Sequence, residues 1–264
     1  MHKILYMLLI AALNVPSSVQ SANPPSQKDT VAHHAASMGH LEAFDFHDAQ
    51  KNVNTPGING NTPAHDAAAH NHPRIIQRLF DLGANINAKN IFGAAPIHTA
   101  AMFGHTAAIQ KLSDLNADIN SRDNFGNTPA HIAAELGHIN VLELLSRLGA
   151  NLKAINNDGD TLAHKAAKYG KLETLKWLHS KGIDINTPNK KGFTPADIAK
   201  KYNRSEVANW LNHNQQTKID SKIDSLKDVE IRAEAQARTK AHFDEIMQQQ
   251  DSASDKQVRV AGRR

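Results

Sequence analysis

The chain has no cysteine among its 264 residues. No disulfide supports it, and whatever folds must be held by packing alone. That absence neither requires nor excludes an oxidising compartment. The short patterns that carry common chemistries are missing too: no HExxH, no GxSxG, no phosphate-cradling glycine loop and no cysteine nucleophile. Carboxylates form no evident pair on one face. These gaps argue against an enzyme and against a cofactor. The net charge is a mild +4 without a dense basic run, and Arg and Lys do not cluster beside aromatic residues, which argues against a nucleic-acid partner.

A membrane-spanning length is also missing at the one place where apolar residues run together. Residues 4–13, "ILYMLLIAAL", are unbroken. As a helix they reach ~15 Å, about half of the ~30 Å hydrocarbon core, so no stable membrane insertion is expected. A short basic start (Met1-His2-Lys3), the break at Asn14-Val15-Pro16 and the small residues of "SSVQSAN" complete the layout of a secretory signal peptide over 1–22. Cleavage is expected after Ser21 or Ala22, and the mature chain is expected to be exported. The alternative is a hydrophobic N-terminal helix packed on the rest of the molecule.

What is present is repetition. One tetrad recurs as Thr30-Val31-Ala32-His33, Thr62-Pro63-Ala64-His65, Ala95-Pro96-Ile97-His98, Thr128-Pro129-Ala130-His131, Thr161-Leu162-Ala163-His164 and Thr194-Pro195-Ala196-Asp197, at intervals of 32 and then 33 four times. A fixed period of this size marks an array of stacked units. Each tetrad opens a short helix. In "GNTPAHIAAELGH" the Thr128 hydroxyl suits the N-cap, Pro129 suits the first helical position and Gly137 suits a left-handed terminus. An alanine pair follows each histidine, then a turn such as Gly104-His105 or Gly137-His138. A second helix carries apolar residues at helical spacing: Val141, Leu142, Leu145, Leu148 in one unit, Ile75, Ile76, Leu79, Leu82 in another, Leu175 and Leu178 in a third. It is expected to end at Gly83, Asn116, Gly149 and Gly182. Connectors rich in Asn, Asp and Gly close each unit: "GANINAKNIFG", "NADINSRDNFG", "GANLKAINNDG", "GIDINTPNKKG".

Helix, turn, helix, turn-rich finger: the unit resembles the ankyrin repeat, whose pattern is a Thr-Pro-Leu-His tetrad, Ala-Ala, Gly-His, a Leu-rich helix and a Gly-Ala-Asp/Asn finger. The likeness spans about residues 28–213 in six repeats, beginning near 28, 60, 93, 126, 159 and 192. It implies an all-α solenoid of stacked helix-turn-helix units with finger-like β-turn connectors. The tetrad's leucine is replaced by alanine in five copies and by Ile97 in one. That should thin the packing between repeats and leave modest stability. The end units read as caps: the last carries Asp197 for histidine and Lys200 for the second alanine, and the second helix of the first is one residue short. Residues 214–250 leave the pattern as a charged helical tail with a short stripe at Ile219, Ile223 and Leu226. A coiled coil needs that stripe to continue, so a monomer is expected, with a tail-mediated dimer as the alternative. Residues 251–264 form a basic end expected to be disordered.

Sixteen histidines invite a metal. Nine fall at two fixed places in the repeat, and the resemblance implies that the tetrad histidine makes backbone and inter-repeat hydrogen bonds. Zinc needs ligands converging at ~2 Å, whereas stacked repeats hold equivalent side chains about 10 Å apart. The local group His65, Asp66, His70 and His72 is the one candidate, and no metal is expected there.

Recognition is the remaining role. The resemblance implies a concave surface made of fingers and first helices, and residues that vary there are not needed for stacking. Repeat three offers Ile91, Phe92, Thr99, Met102 and Phe103; repeat four offers Asn124, Phe125, Ile132, Glu135 and Leu136. Repeat five offers Asn157, Asp158, Lys165, Lys168 and Tyr169, and repeat six begins with Lys190 and Lys191. The expected partner site is Ile91, Phe92, Met102, Phe103, Phe125 and Leu136 as an apolar anchor, with Lys165, Lys168, Tyr169, Lys190 and Lys191 as a basic rim. It suits a protein segment with apolar side chains followed by acidic ones. The layout is similar to exported bacterial ankyrin proteins, host-directed effectors among them. A non-catalytic scaffold, periplasmic, secreted or delivered to a host cell, is the expectation; a periplasmic protein that stabilises a resident enzyme is the alternative.

Overall fold

The computed structural model describes residues 30–217 together with 220 and 223. The leader at 1–22, the basic end at 251–264 and the tail beyond 217, apart from those two residues, lie outside the described residues. The described residues fall into two units, the first ending at Asn209 and the second beginning at Trp210. In the second, residues 210–217 are helical, Asn214 Nδ2 donates to the Trp210 carbonyl at 2.9 Å, and Ile223 is exposed. Among the described residues there is no strand, and no helix is long and apolar enough to cross a membrane.

The first unit is a row of helical hairpins. Inner helices are α1 (Val31–Met38), α3 (Pro63–Ala69), α5 (Pro96–Met102), α7 (Pro129–Leu136), α9 (Leu162–Lys168) and α11 (Pro195–Lys201). Outer helices are α4 (Pro73–Asp81), α6 (Thr106–Asp114), α8 (Ile139–Arg147) and α10 (Leu172–Ser180), followed by helical residues 205–209. The first repeat differs. Its outer segment is a 3-10 turn, Leu41–Asp45, and the short α2 (His47–Lys51), separated at Phe46, whose φ of −90° and ψ of 140° are extended. The second helix that the sequence shows as short is therefore a broken one.

Small residues bring the inner helices together and large ones hold the outer helices. Ala67, Ala68, Ala100, Ala101, Ala133, Ala134, Ala166 and Ala167 are all fully buried, consistent with close helix approach along α3, α5, α7 and α9. Ile76, Leu79, Ile109, Leu112, Leu142, Leu145, Leu175 and Leu178 fill the core from the outer side. Leu82 and Leu148, at the helix ends, are only half-buried. The stop signals act as their chemistry dictates. Gly137 has φ +82°, and Gly83, Gly149 and Gly182 are also left-handed. Asn116 takes φ +62°, and Asn71 and Asn203 fill, at +56° and +57°, the turn place that Gly104 and Gly137 hold elsewhere. Asparagine is the side chain that tolerates this region best.

Candidate functional site

The tetrad histidine builds both the helix cap and the joint to the next repeat. In α7 the Thr128 backbone N–H donates to His131 Nδ1 at 3.2 Å, and the Thr128 hydroxyl lies 2.9 Å from the same nitrogen. His131 Nε2 lies 3.2 Å from the Asp160 carbonyl, one repeat on. A carbonyl can only accept and the backbone N–H can only donate, so Nε2 carries the proton and the ring is neutral. The hydroxyl is then a donor to Nδ1, and its partner is the imidazole more than the helix N-terminus. The same joint recurs: His33 to Asn61, His65 to Ala94, His98 to Asn127 and His164 to Phe193, at 2.9–3.2 Å. Ala95 offers His98 a backbone N–H and no hydroxyl.

Burial follows from this role. It pushes His65 and His131 down to about 4, and it also lowers His98 and His164. A second column points the other way: Nε2 of His72, His105 and His138 reaches the Ser37, Ala69 and Met102 carbonyls of the preceding repeat at 3.1–3.2 Å. The group His65, Asp66, His70 and His72 thus does not converge as a ligand set, although the His70 and His72 rings stack with centres 6.3 Å apart. His65 and His72 are spent on opposite joints, and His70 Nδ1 sits 2.9 Å from the Asp66 carbonyl oxygen rather than its carboxylate. Among the described residues no cluster of three or more His, Asp or Glu could hold a metal ion.

The fingers form a continuous row. Ile91 N–H donates to the Asn59 carbonyl, Asn124 to Phe92, Asn157 to Phe125 and Lys190 to Asp158, at 2.9–3.1 Å. Beneath them Asn90 donates to Asn61, Asn156 to Asn127 and Asn189 to Asp160 through side chains at 2.7–3.0 Å. This row sets Ile91 and Phe92 on one fingertip and Phe125 on the next. Ile91, Phe103 and Phe125 are each more than 40% exposed, while Phe92, Met102 and Leu136 are half-buried.

The basic rim divides. Lys165 is not a rim cation: its ammonium stands 3.4 Å from the Glu135 carboxylate and both side chains are buried. A pair of this kind adds little net stability, but losing either member strands a buried charge. Tyr169, half-buried, hydrogen-bonds to Glu135; burial first, and then that carboxylate, push its hydroxyl up. Lys168 lies over two rings, 5.4 Å from the centre of Tyr169 and 5.2 Å from that of Tyr202. Lys190 Nζ donates to the Asn157 carbonyl at 2.8 Å, and Lys191 faces Asp158 at 3.5 Å, both in solvent.

Three contributors to this surface stand outside the set expected from sequence: Tyr202, Lys201 and Phe193. Tyr202 and Lys201 occupy in α11 the register of Tyr169 and Lys168 in α9, so alignment of "AAKYG" with "AKKYN" points to them. Phe193, 40% exposed, follows the sixth finger glycine and lies under the Lys201 ammonium at 5.5 Å.

The family model for ankyrin repeats (many copies) matches residues 32–80, 64–112, 97–146 and 163–211. A search of curated proteins found no match. With more than half of its length matched and the histidine joints repeated along the row, the chain belongs to the ankyrin repeat family, whose arrays are scaffolds for protein–protein interaction.

Proposed function

We propose that this protein is an exported, non-catalytic scaffold that holds a partner protein on its concave surface, with the partner's apolar side chains seated at repeats three and four. The observation that carries this reading is a contrast in burial. The stacking alanines of α5 and α7 are fully covered or nearly so, whereas Ile91, Phe103 and Phe125, which stacking does not need, are each more than 40% exposed. Exposed aromatic residues are enriched in interface cores. Export rests on the leader-like layout of residues 1–22. Delivery to a host cell as an effector is the extension drawn from similarity to exported bacterial ankyrin proteins.

The test replaces Phe92, Phe103 and Phe125 together with Ser and compares affinity capture by parent and variant from lysates of the source cell and of any associated host. A partner held by the parent and lost by the variant, at unchanged helical content, supports the groove. Equal capture by both overturns it. Cell fractionation, following the mature chain into periplasm, medium or a host cell, tests the export reading separately.

A further inference from the structure

The C-terminal end of the same surface carries two lysines held in place over aromatic rings. Lys168 of α9 and Lys201 of α11 stand at the same helix position in successive repeats. The first lies over the rings of Tyr169 and Tyr202, the second over Phe193. Neither has a carboxylate within ion-pair distance among the described residues. Three acids of repeats four to six are already committed. Glu135 is taken by Lys165 and Tyr169. Asp158 faces Lys191, and Asp197 accepts both the backbone N–H and the hydroxyl of Thr194, at 3.0 and 2.6 Å.

We propose that Lys168 and Lys201 form a two-point clamp for an acidic segment of the partner, with carboxylates at positions i and i+3 of a stretch in polyproline II conformation. The proposal rests on the scaffold reading and adds the chemistry of the partner at one end of the groove. Packing against rings restricts the lysine side chains before binding, so less rotamer freedom is lost when an anion arrives. Equivalent residues on neighbouring packed helices are about 8–10 Å apart. A polyproline II segment turns once in three residues and rises ~3.1 Å per residue, so it presents the same side every ~9 Å. The buried Glu135–Lys165 pair bounds the clamp on its N-terminal side by keeping Lys165 from competing for the partner's acids. A peptide is favoured over a single-stranded nucleic acid because an ammonium group already stands over each of these rings, where a base would have to stack.

Fluorescence anisotropy on the full chain at low salt tests this with four probes: a labelled twelve-residue peptide with a central Glu-Pro-Pro-Glu, its Gln-Pro-Pro-Gln counterpart, the same composition rearranged to Glu-Glu-Pro-Pro, and dodecathymidylate. The Glu-Pro-Pro-Glu peptide is expected to bind, more weakly as salt rises, and to lose at least about tenfold in affinity in the double variant Lys168→Met, Lys201→Met. Lys168→Arg keeps the charge and is expected to retain binding; thermal melts confirm that each variant folds. Equal affinity for the Gln peptide, or an unaffected double variant, overturns the clamp. Equal affinity for Glu-Glu-Pro-Pro overturns its spacing, and tighter binding of dodecathymidylate makes it a nucleic-acid site instead. The Phe92, Phe103, Phe125→Ser variant is expected to bind the peptide as the parent does. If no peptide binds while that variant still loses its captured partner, the clamp fails and the groove reading stands.

Discussion

Position 131, inside the array, and position 197, at its last repeat, face the same local task with different residues. Both must accept the backbone N–H of the threonine three residues earlier and so close the first turn of a helix. His131 does it through Nδ1 and Asp197 through Oδ2, at 3.2 and 3.0 Å. The carboxylate is if anything the better cap: the hydrogen bonds from Thr194 hold it below the usual carboxylate range. Histidine is therefore not needed for the cap. What it adds is reach, because its second nitrogen crosses to a carbonyl of the following repeat. Asp197 has no such bond among the described residues, where only its contacts with Thr194 are seen.

Exchanging the two residues should separate the roles, and the effect at position 131 should be large. His131→Asp preserves the cap but takes the inter-repeat donor from the Asp160 carbonyl, which keeps only the Asn156 N–H, and buries a carboxylate between repeats. A loss of ~3–5 kcal/mol in urea unfolding is expected. Asp197→His keeps a cap acceptor at a half-buried place, and a change within ~1 kcal/mol is expected. Similar losses from both substitutions would mean that the cap, and not the inter-repeat bond, is what the histidine contributes.

Much of this contrast is legible in the sequence, because it is written in residues that recur or fail to recur at one offset. The period, the left-handed stops at Gly137 and Asn116, and the end unit with aspartate for histidine can all be read from a single chain. The partner site is less legible. Lys165 looks like a rim cation along the chain, since the carboxylate that buries it, Glu135, lies 30 residues away and meets it only when α7 and α9 stack. Tyr202 is hidden in the same way: the repeat offset gives its register, but its contact with Lys168 of the preceding repeat forms only on stacking. The break at Phe46 shows in sequence as one missing residue, with nothing to say where the backbone takes up the difference. Local chemistry is readable along the chain, while pairings across repeats depend on register.

Acid should act on the histidine joints. His65 and His131 have values near 4 in the folded chain and an ordinary value of 6.5 when unfolded. The unfolded chain therefore takes up protons first, and the stability these sites supply is complete above 6.5 and is lost as pH falls through the window from 6.5 to about 4. Protonation would place a hydrogen on Nδ1, facing the threonine N–H that it must accept. At about pH 5.5 each of the two sites should cost about 1 kcal/mol relative to neutral solution. Urea midpoints measured from pH 8 down to 5 should fall accordingly, and less in His131→Gln, which removes one of the titrating rings. A midpoint that stays flat over that range would remove the neutral-imidazole account of the joints.

The fingers repeat the comparison on a smaller scale. Gly126 and Gly192 hold the same place in the fourth and sixth units and nearly the same backbone, φ +77° and +79°. A Cβ at either is strained by the left-handed conformation, at about 1–2 kcal/mol. At Gly126 it would also collide with the Asn157 amide oxygen and stand 2.8 Å from the Asn157 backbone nitrogen, the atom that ties the fifth finger to the fourth. At Gly192 it meets nothing within 4 Å. Gly192→Ala should therefore show the conformational cost alone. Gly126→Ala should add ~1 kcal/mol or more for the displaced fingertip row, a difference that thermal melts of the two variants resolve. Should the two alanines cost the same, the fingers are not a tightly coupled row, and the fingertip residues Phe92 and Phe125 would have to be held in register by the inner helices alone.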